Sequence, residues 1–157
     1  MPLQTVVMTV LLCLLPISEL RGGLPYALTR GLVPWQAYLL CVIANGLVGP
    51  LVFLFLSTLH GLLQGFHWYQ VIFEKLVARS RRRVHEKVEK YGYAGLIVFV
   101  AIPLPVTGAY TGALGAWVLG MEVKKSMLSI FAGVMIAGVV VTAVYLLGVQ
   151  ALYIFIK

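Results

Sequence analysis

Apolar residues form runs of two lengths along this chain, one about half the length of a membrane-spanning helix and one about its full length. The first run covers residues 3–15 and ends at Pro16, and a second short arm runs from Pro25 to Val33. A helix as long as the first run measures about 20 Å, whereas the hydrocarbon core of a bilayer is about 30 Å thick. Two short arms around a polar break predict a re-entrant hairpin over residues 3–33.

Full-length apolar runs follow each short-armed region. Residues 35–63 predict a transmembrane helix that is kinked at Pro50, because proline has no N–H to continue the helical hydrogen bonds. In the second half of the chain, residues 94–121 predict another re-entrant hairpin, and residues 124–152 predict a second transmembrane helix. The order of elements in the first half therefore recurs in the second.

Small residues at helical spacing support an internal repeat between residues 1–65 and 93–157. The second arms of the two predicted hairpins carry matching ladders at an offset of 89 residues, namely Gly23, Ala27 and Gly31 in the first and Gly112, Ala116 and Gly120 in the second. Small residues are common in membrane helices, so chance is the alternative explanation. We predict two inverted repeats, which is the plan of many secondary transporters.

The segment between the repeats, residues 66–92, is amphipathic and strongly basic. It predicts a helix that lies on the cytoplasmic membrane surface and ends at Gly92. Cytoplasmic segments of membrane proteins are rich in Lys and Arg, so both chain termini are expected outside. The candidate membrane-surface residues are Arg79, Arg81, Arg82 and Arg83.

Composition limits the function classes further. The chain has 157 residues, of which 61% are hydrophobic, and this excludes a soluble globular domain. We expect one integral membrane domain, all-α, over residues 1–157. The net charge of +7 comes largely from the basic segment and reflects topology, so we predict no nucleic-acid binding. Cys13, Cys41 and the three histidines show no metal-ligand spacing, and we predict neither a metal nor a cofactor.

The two hairpin breaks carry the candidate chemistry. Each break is expected to bring the N-terminus of a second arm near the middle of the membrane, with Pro25 opening one arm and Thr107 capping the other. Helix N-termini expose N–H groups and attract anions, so the site between the breaks is predicted to be anion-selective. The break residues are Pro16, Gly22, Gly23, Pro25, Pro103 and Pro105.

Glu19 and Arg21 are charged residues at a depth where charge is costly. One hypothesis makes Glu19 a proton-coupling carboxylate that competes with an anionic substrate for Arg21. The alternative is a buried ion pair that only stabilises the hairpin. Further candidates for the substrate or proton site are Ser18, Asn45, Thr107, Gly108, Tyr110 and Thr111. Ser18 and Glu19 are adjacent, but no His or Asp joins them in the membrane, so we do not expect an enzyme.

Three segments together resemble the small multidrug export protein family of prokaryotes. They are the Pro16–Pro25 motif, the helix containing Asn45 and Pro50, and the stretch from Pro103 to Ala113. That family is distantly similar to the DedA and VTT-domain membrane proteins, which the resemblance associates with inverted re-entrant hairpins and the movement of polyprenyl phosphate or other lipids. By resemblance, Glu19 matches the acidic residue of the first hairpin. The arginines usual in the second hairpin are absent between Phe99 and Met121.

These observations predict a proton-coupled secondary transporter of an amphipathic anion, such as a polyprenyl phosphate or another lipid. The alternatives are a small multidrug or toxic-solute exporter and a non-transporting membrane scaffold. The expected location is the prokaryotic inner or plasma membrane, which the chain crosses more than once. The expected partners are membrane lipids, protons and an anionic lipid or small molecule. Two hairpins and two long helices form a thin bundle, which is compatible with a homodimer but does not require one.

Overall fold

A computed structural model describes residues 3–104 and 107–156, except for the side chains of residues 62, 83, 86, 87, 89 and 149–156. The described chain is helical and contains no strand, which confirms the all-α prediction. Its helices are α1 Leu3–Leu14, α2 Glu19–Thr29, α3 Pro34–Gly46, α4 Val48–Leu63, α5 His67–Ala101, α6 Ala109–Val118 and α7 Val123–Ile156.

The first break is shorter than the sequence predicted. It covers residues 15–18 and contains Pro16, while the predicted break residues Gly22, Gly23 and Pro25 lie inside α2. The helix starts early because the chain has already turned: the N–H groups of Ser18 and Glu19 both donate to the carbonyl of Leu15, at 3.2 and 2.9 Å. The prediction that Pro25 opens the second arm is therefore wrong.

The first long apolar helix is interrupted where the sequence predicted a kink. The interruption falls at Leu47, between α3 and α4, because Pro50 has no N–H to donate to the Gly46 carbonyl. The segment Pro34–Gly61 is nevertheless long and apolar enough to cross a membrane, and so is Val123–Gly148 of α7.

Helix α5 is bent at Gly92, which has φ +57° and ψ −132°. These angles favour glycine, so the predicted end of the basic helix coincides with a change of direction, and the chain continues as a helix to Ala101. The predicted apolar face is covered only in part. Tyr69 and Val84 are buried, whereas Leu76 is 50% and Tyr91 60% exposed.

The second break, residues 102–108, is longer than the first. Pro103 lies within it, and Pro105 lies outside the described residues. The predicted N-cap role of Thr107 is wrong: α6 begins at Ala109, its N-cap is Gly108, and the Thr107 hydroxyl lies within hydrogen-bonding distance of the carbonyls of Ile102 and Leu104, behind the helix.

Helix α7 packs against α2, α3, α4, α5 and α6 and so forms the centre of the bundle. Glycines allow these close approaches. A methyl group added at Gly133 of α7 would lie 2.6 Å from Cβ of Val100 and 2.9 Å from the Ile97 carbonyl of α5, where backbone cannot move aside. The buried side chains Leu24, Leu96, Val100, Ile130 and Val134 belong to this core.

Candidate functional site

Charged residues in the first turn of α2 contact the backbone of the second break and of the α6 N-terminus. Glu19 is the first residue of α2, is 7% exposed and has φ +48°, a conformation that non-glycine residues rarely adopt. Its two carboxylate oxygens accept hydrogen bonds from the N–H groups of Ala109 and Tyr110, each at 3.3 Å. The carboxylate therefore lies at the positive ends of two helices, α2 and α6, where a negative charge is stabilised.

Arg21 makes the complementary contacts. Its guanidinium donates to the backbone carbonyls of Leu104 and Thr107 and to the Thr107 hydroxyl, the last at 3.1 Å. The carboxylate of Glu19 thus binds backbone N–H groups at the second break, and the guanidinium of Arg21 binds backbone carbonyls of the same segment. We call this arrangement of Glu19, Arg21, Thr107, Gly108 and Tyr110 the junction.

Gly108 lets the two breaks approach each other. It is buried and has φ +150° and ψ −167°, a region that is essentially restricted to glycine. A Cβ atom built on Gly108 would collide with the carboxylate of Glu19. Glycine is therefore required at position 108 for two reasons: its backbone conformation and the lack of space for a side chain.

Carbonyl groups at the end of α1 are also satisfied by predicted site residues. The Tyr110 hydroxyl donates to the Leu14 carbonyl at 2.6 Å, and the Asn45 amide donates to the Cys13 carbonyl at 3.0 Å. Non-helical backbone inside a membrane requires such internal partners. Asn45, which is 2% exposed, thus bonds a carbonyl at the end of the helix that precedes the first break.

The remaining predicted residues lie beside the junction. Ser18 is half-buried at the N-cap position of α2, makes no capping hydrogen bond, and would be struck by a Cβ atom at Gly22. Thr111 lines a different space, an apolar cavity of about 560 Å³ between α4, α5 and α6. Tyr110 and Pro16 also line this cavity, which we call the apolar cavity.

An aromatic cluster that the sequence did not indicate lies next to the apolar cavity. Its rings come from His60 of α4, Tyr69 and Phe73 of α5, and Trp117 of α6, with neighbouring ring centres 4.2–6.1 Å apart. They line a groove of about 670 Å³. No local signal could have revealed it, because Trp117 is far in sequence from the other three rings.

The basic residues of α5 lie apart from the junction. Arg79, Arg81 and Arg82 are exposed, whereas the side chain of Arg83 lies outside the described residues. Arg81 and Arg82 line a groove of about 590 Å³ together with Glu74 and His85. Within the described part of the chain, no group of three or more His, Cys, Asp or Glu residues is placed to hold a metal ion.

The described helices and the buried junction define the class, an all-helical membrane protein. The chain belongs to the family described as "Putative small multi-drug export protein", whose family model matches residues 19–140, more than three quarters of the sequence. No match was found among curated proteins or among solved structures. The family and the apolar helices indicate a membrane location and a role in export or transport. The relation to DedA and VTT-domain proteins stays a prediction.

Proposed function

We propose that the protein is a proton-coupled secondary transporter that exports amphipathic solutes across a prokaryotic cell membrane. The proposal combines the family's export role with a carboxylate buried at the contact between two helix pairs. The first pair is α1 with α2, and the second is residues 93–101 with α6. In this proposal both pairs are re-entrant hairpins of inverted repeats, and both chain termini lie outside.

The helix lengths support the re-entrant arrangement. Helices α1 and α2 have 12 and 11 residues, and α6 has 10. At 1.5 Å per residue these helices are about 15–18 Å long, roughly half of the hydrocarbon thickness. In this proposal the two pairs enter the membrane from opposite sides, and the junction between their tips lies near the middle of the membrane.

The observation that carries the proposal is how the Glu19 carboxylate is held. Both of its hydrogen bonds to α6 measure 3.3 Å, at the long end of the range for N–H···O bonds. Its backbone is in an unfavourable conformation, a type of strain that clusters at functional sites. A carboxylate held by long bonds on a strained backbone is suited to leaving its position during a transport cycle.

Proton coupling follows from the charge on this group. When Glu19 takes up a proton it loses the charge that the α6 N-terminus stabilises, and the contact between the two pairs weakens. Among the described residues, the charged or titratable groups that act on Glu19 are Arg21 on its own helix and Tyr110 on α6. Release of the junction would move α6, and with Tyr110 and Thr111 it would reshape the apolar cavity.

Export of a lipid phosphate is a second candidate, favoured by the α6 N-terminus. The N–H groups of Ala109 and Tyr110 could bind a phosphate, with Arg21 nearby as a second anion-binding group. In the described arrangement Glu19 occupies these N–H groups, so the anion would have to displace the carboxylate. Under this candidate a phosphate-bearing lipid co-purifies with the wild-type protein and is lost from Arg21→Ala, as measured by mass spectrometry.

The Glu19→Gln variant tests the main proposal. We expect it to lose proton flux driven by solute gradients in proteoliposomes, measured with pyranine trapped in the lumen, because the amide cannot carry the proton. Its melting temperature should stay within a few degrees of the wild type, since the side-chain oxygen still accepts one N–H. Glu19→Asp, which keeps the titratable group, is the matched control and should retain part of the flux. Normal proton-coupled flux in Glu19→Gln would overturn the proposal and favour the scaffold alternative.

A further inference from the structure

The aromatic cluster presents several ring faces and edges to one groove. His60 and Tyr69 are each 9% exposed, and Trp117 is 36% exposed at the outer side. Phe73 is central, with its ring centre 4.2 Å from that of His60, 5.4 Å from Tyr69 and 6.1 Å from Trp117. Ring faces are electron-rich, and convergent rings attract a positively charged group within about 6 Å.

Hydrogen bonds fix the cluster. The His60 ring nitrogens lie 2.9 Å from the Tyr69 hydroxyl and 2.9 Å from the Gln64 amide nitrogen. Burial raises the pKa of Tyr69, which keeps its hydroxyl protonated. Two hydrogen bonds therefore hold the His60 ring between Tyr69 and Gln64.

The charge of the groove suits a cation. Glu74 is the charged residue among the described residues that line the groove, and no Lys or Arg lines it. The α5 arginines line a different groove, although Glu74 borders both. An anion entering the aromatic groove would meet a carboxylate and ring faces, both of which repel it.

The groove adjoins the apolar cavity. Tyr69 and Phe73 line both spaces, so the two are separated by no more than these rings. The volumes of about 670 and 560 Å³ each fall in the range of small-molecule sites. One space offers rings, amides and a carboxylate, and the other is almost wholly apolar, with Leu51, Phe55 and Ile72 among its walls.

We propose that the aromatic groove binds the positively charged group of a hydrophobic organic cation, whose apolar body lies in the apolar cavity. This inference rests on the proposed function and names the substrate class of the transporter. It separates two roles: α4, α5 and the C-terminal end of α6 recognise the solute, whereas Glu19 at the N-terminal end of α6 couples its movement to protons.

The test measures binding without a pH gradient. In a Trp35→Phe/Trp68→Phe background, whose two replaced side chains are both 62% exposed, Trp117 is the remaining tryptophan. We expect tetraphenylphosphonium to quench its fluorescence saturably in detergent solution. Tetraphenylborate, which has the same shape and the opposite charge, should bind at least about tenfold more weakly. Equal affinity for the two ions, or no saturable quenching, would overturn the inference.

Matched variants separate the site from the fold. Phe73→Leu keeps an apolar side chain but removes a ring, and Glu74→Gln removes the charge; each should weaken tetraphenylphosphonium binding by about fivefold to tenfold. Phe66→Leu, at an exposed position outside the groove, and Glu122→Gln, at an exposed carboxylate elsewhere, should leave it unchanged. Unchanged binding in both groove variants, with gel filtration matching the wild type, would contradict the site.

The Glu19→Gln variant distinguishes this inference from the proposed function. We expect it to keep saturable tetraphenylphosphonium binding although it transports nothing. If the wild type binds tetraphenylphosphonium but shows no proton-coupled flux, the transporter proposal is refuted and the cation site in the groove stands. If the wild type instead exports other solutes with proton coupling but binds no cation, the transporter proposal stands and the groove is refuted.

Discussion

The junction is closely packed, whereas the aromatic groove is open, although both belong to the same helical bundle. At the junction, Glu19 and Arg21 are bonded to backbone groups of the facing break, and Gly108 has no room for a methyl group. At the groove, rings from three helices surround open volume, and the charged residue Glu74 lies at an exposed position. Glu19 and Arg21 therefore hold the two helix pairs together, whereas the open volume lies at the aromatic groove and the apolar cavity.

Helix α6 connects the two regions. Tyr110 at its N-terminal end donates its backbone N–H to Glu19, and its side chain lines the apolar cavity. Trp117, seven residues further on, lines the aromatic groove. Seven residues of helix span about 10 Å, so a movement of α6 at the junction would shift the walls of the apolar cavity and the aromatic groove. Residues of the junction should therefore affect stability and coupling, and residues of the cavity should affect selectivity.

Gly108→Ala should have the largest effect on stability. The new methyl group collides with the Glu19 carboxylate, and the backbone conformation is unfavourable for alanine, so we expect a loss of about 3 kcal/mol. Thermal unfolding in detergent measures it. Gly120→Ala, at φ +66° in open space, isolates the backbone cost, and Gly61→Ala, with no neighbouring atom within 4 Å, should be nearly neutral. Equal melting temperatures for Gly108→Ala and Gly61→Ala would show that the breaks do not meet.

Arg21→Ala should have the second largest effect on the free energy of unfolding. It removes the donor to the Thr107 carbonyl and one of several donors to the Leu104 carbonyl, which we expect to cost about 2 kcal/mol. Arg30→Ala is the control, because Arg30 is exposed and lies over the ring of Tyr26, a contact worth about 0.5 kcal/mol. If Arg21→Ala and Arg30→Ala have the same melting temperature, the guanidinium contacts of Arg21 do not stabilise the junction.

Thr111→Val should change stability least, by less than about 0.5 kcal/mol, since it replaces one half-buried side chain in the cavity wall by another of the same shape. Its effect should instead appear in the relative rates at which different solutes drive proton flux in proteoliposomes. A drop in melting temperature as large as that of Arg21→Ala would contradict the division between a structural junction and an open cavity.

Local pattern determined the helices but not their exact ends. The interruption near Pro50 follows from proline lacking an N–H, and the structure confirms it. Gly92 was expected to end the basic helix; its positive φ bends the chain there, and the helix continues to Ala101. Pro25 misled the prediction, since a proline at the start of a helix and one within a short membrane helix look the same in sequence. Thr107 misled it similarly, because a hydroxyl can cap the next helix or bond the preceding carbonyls.

The sequence by itself determined that this chain is an all-helical protein with two helices long enough for a membrane, and that Glu19 and Arg21 lie close to a break at Pro16. These properties depend on run length, proline and charge, all of which are local. Only the tertiary structure decided that the partners of these charges are backbone groups about 90 residues away, and that Trp117 joins His60, Tyr69 and Phe73. Contacts between distant segments depend on how whole helices pack, and that packing is set by steric fit at glycines such as Gly108 and Gly133.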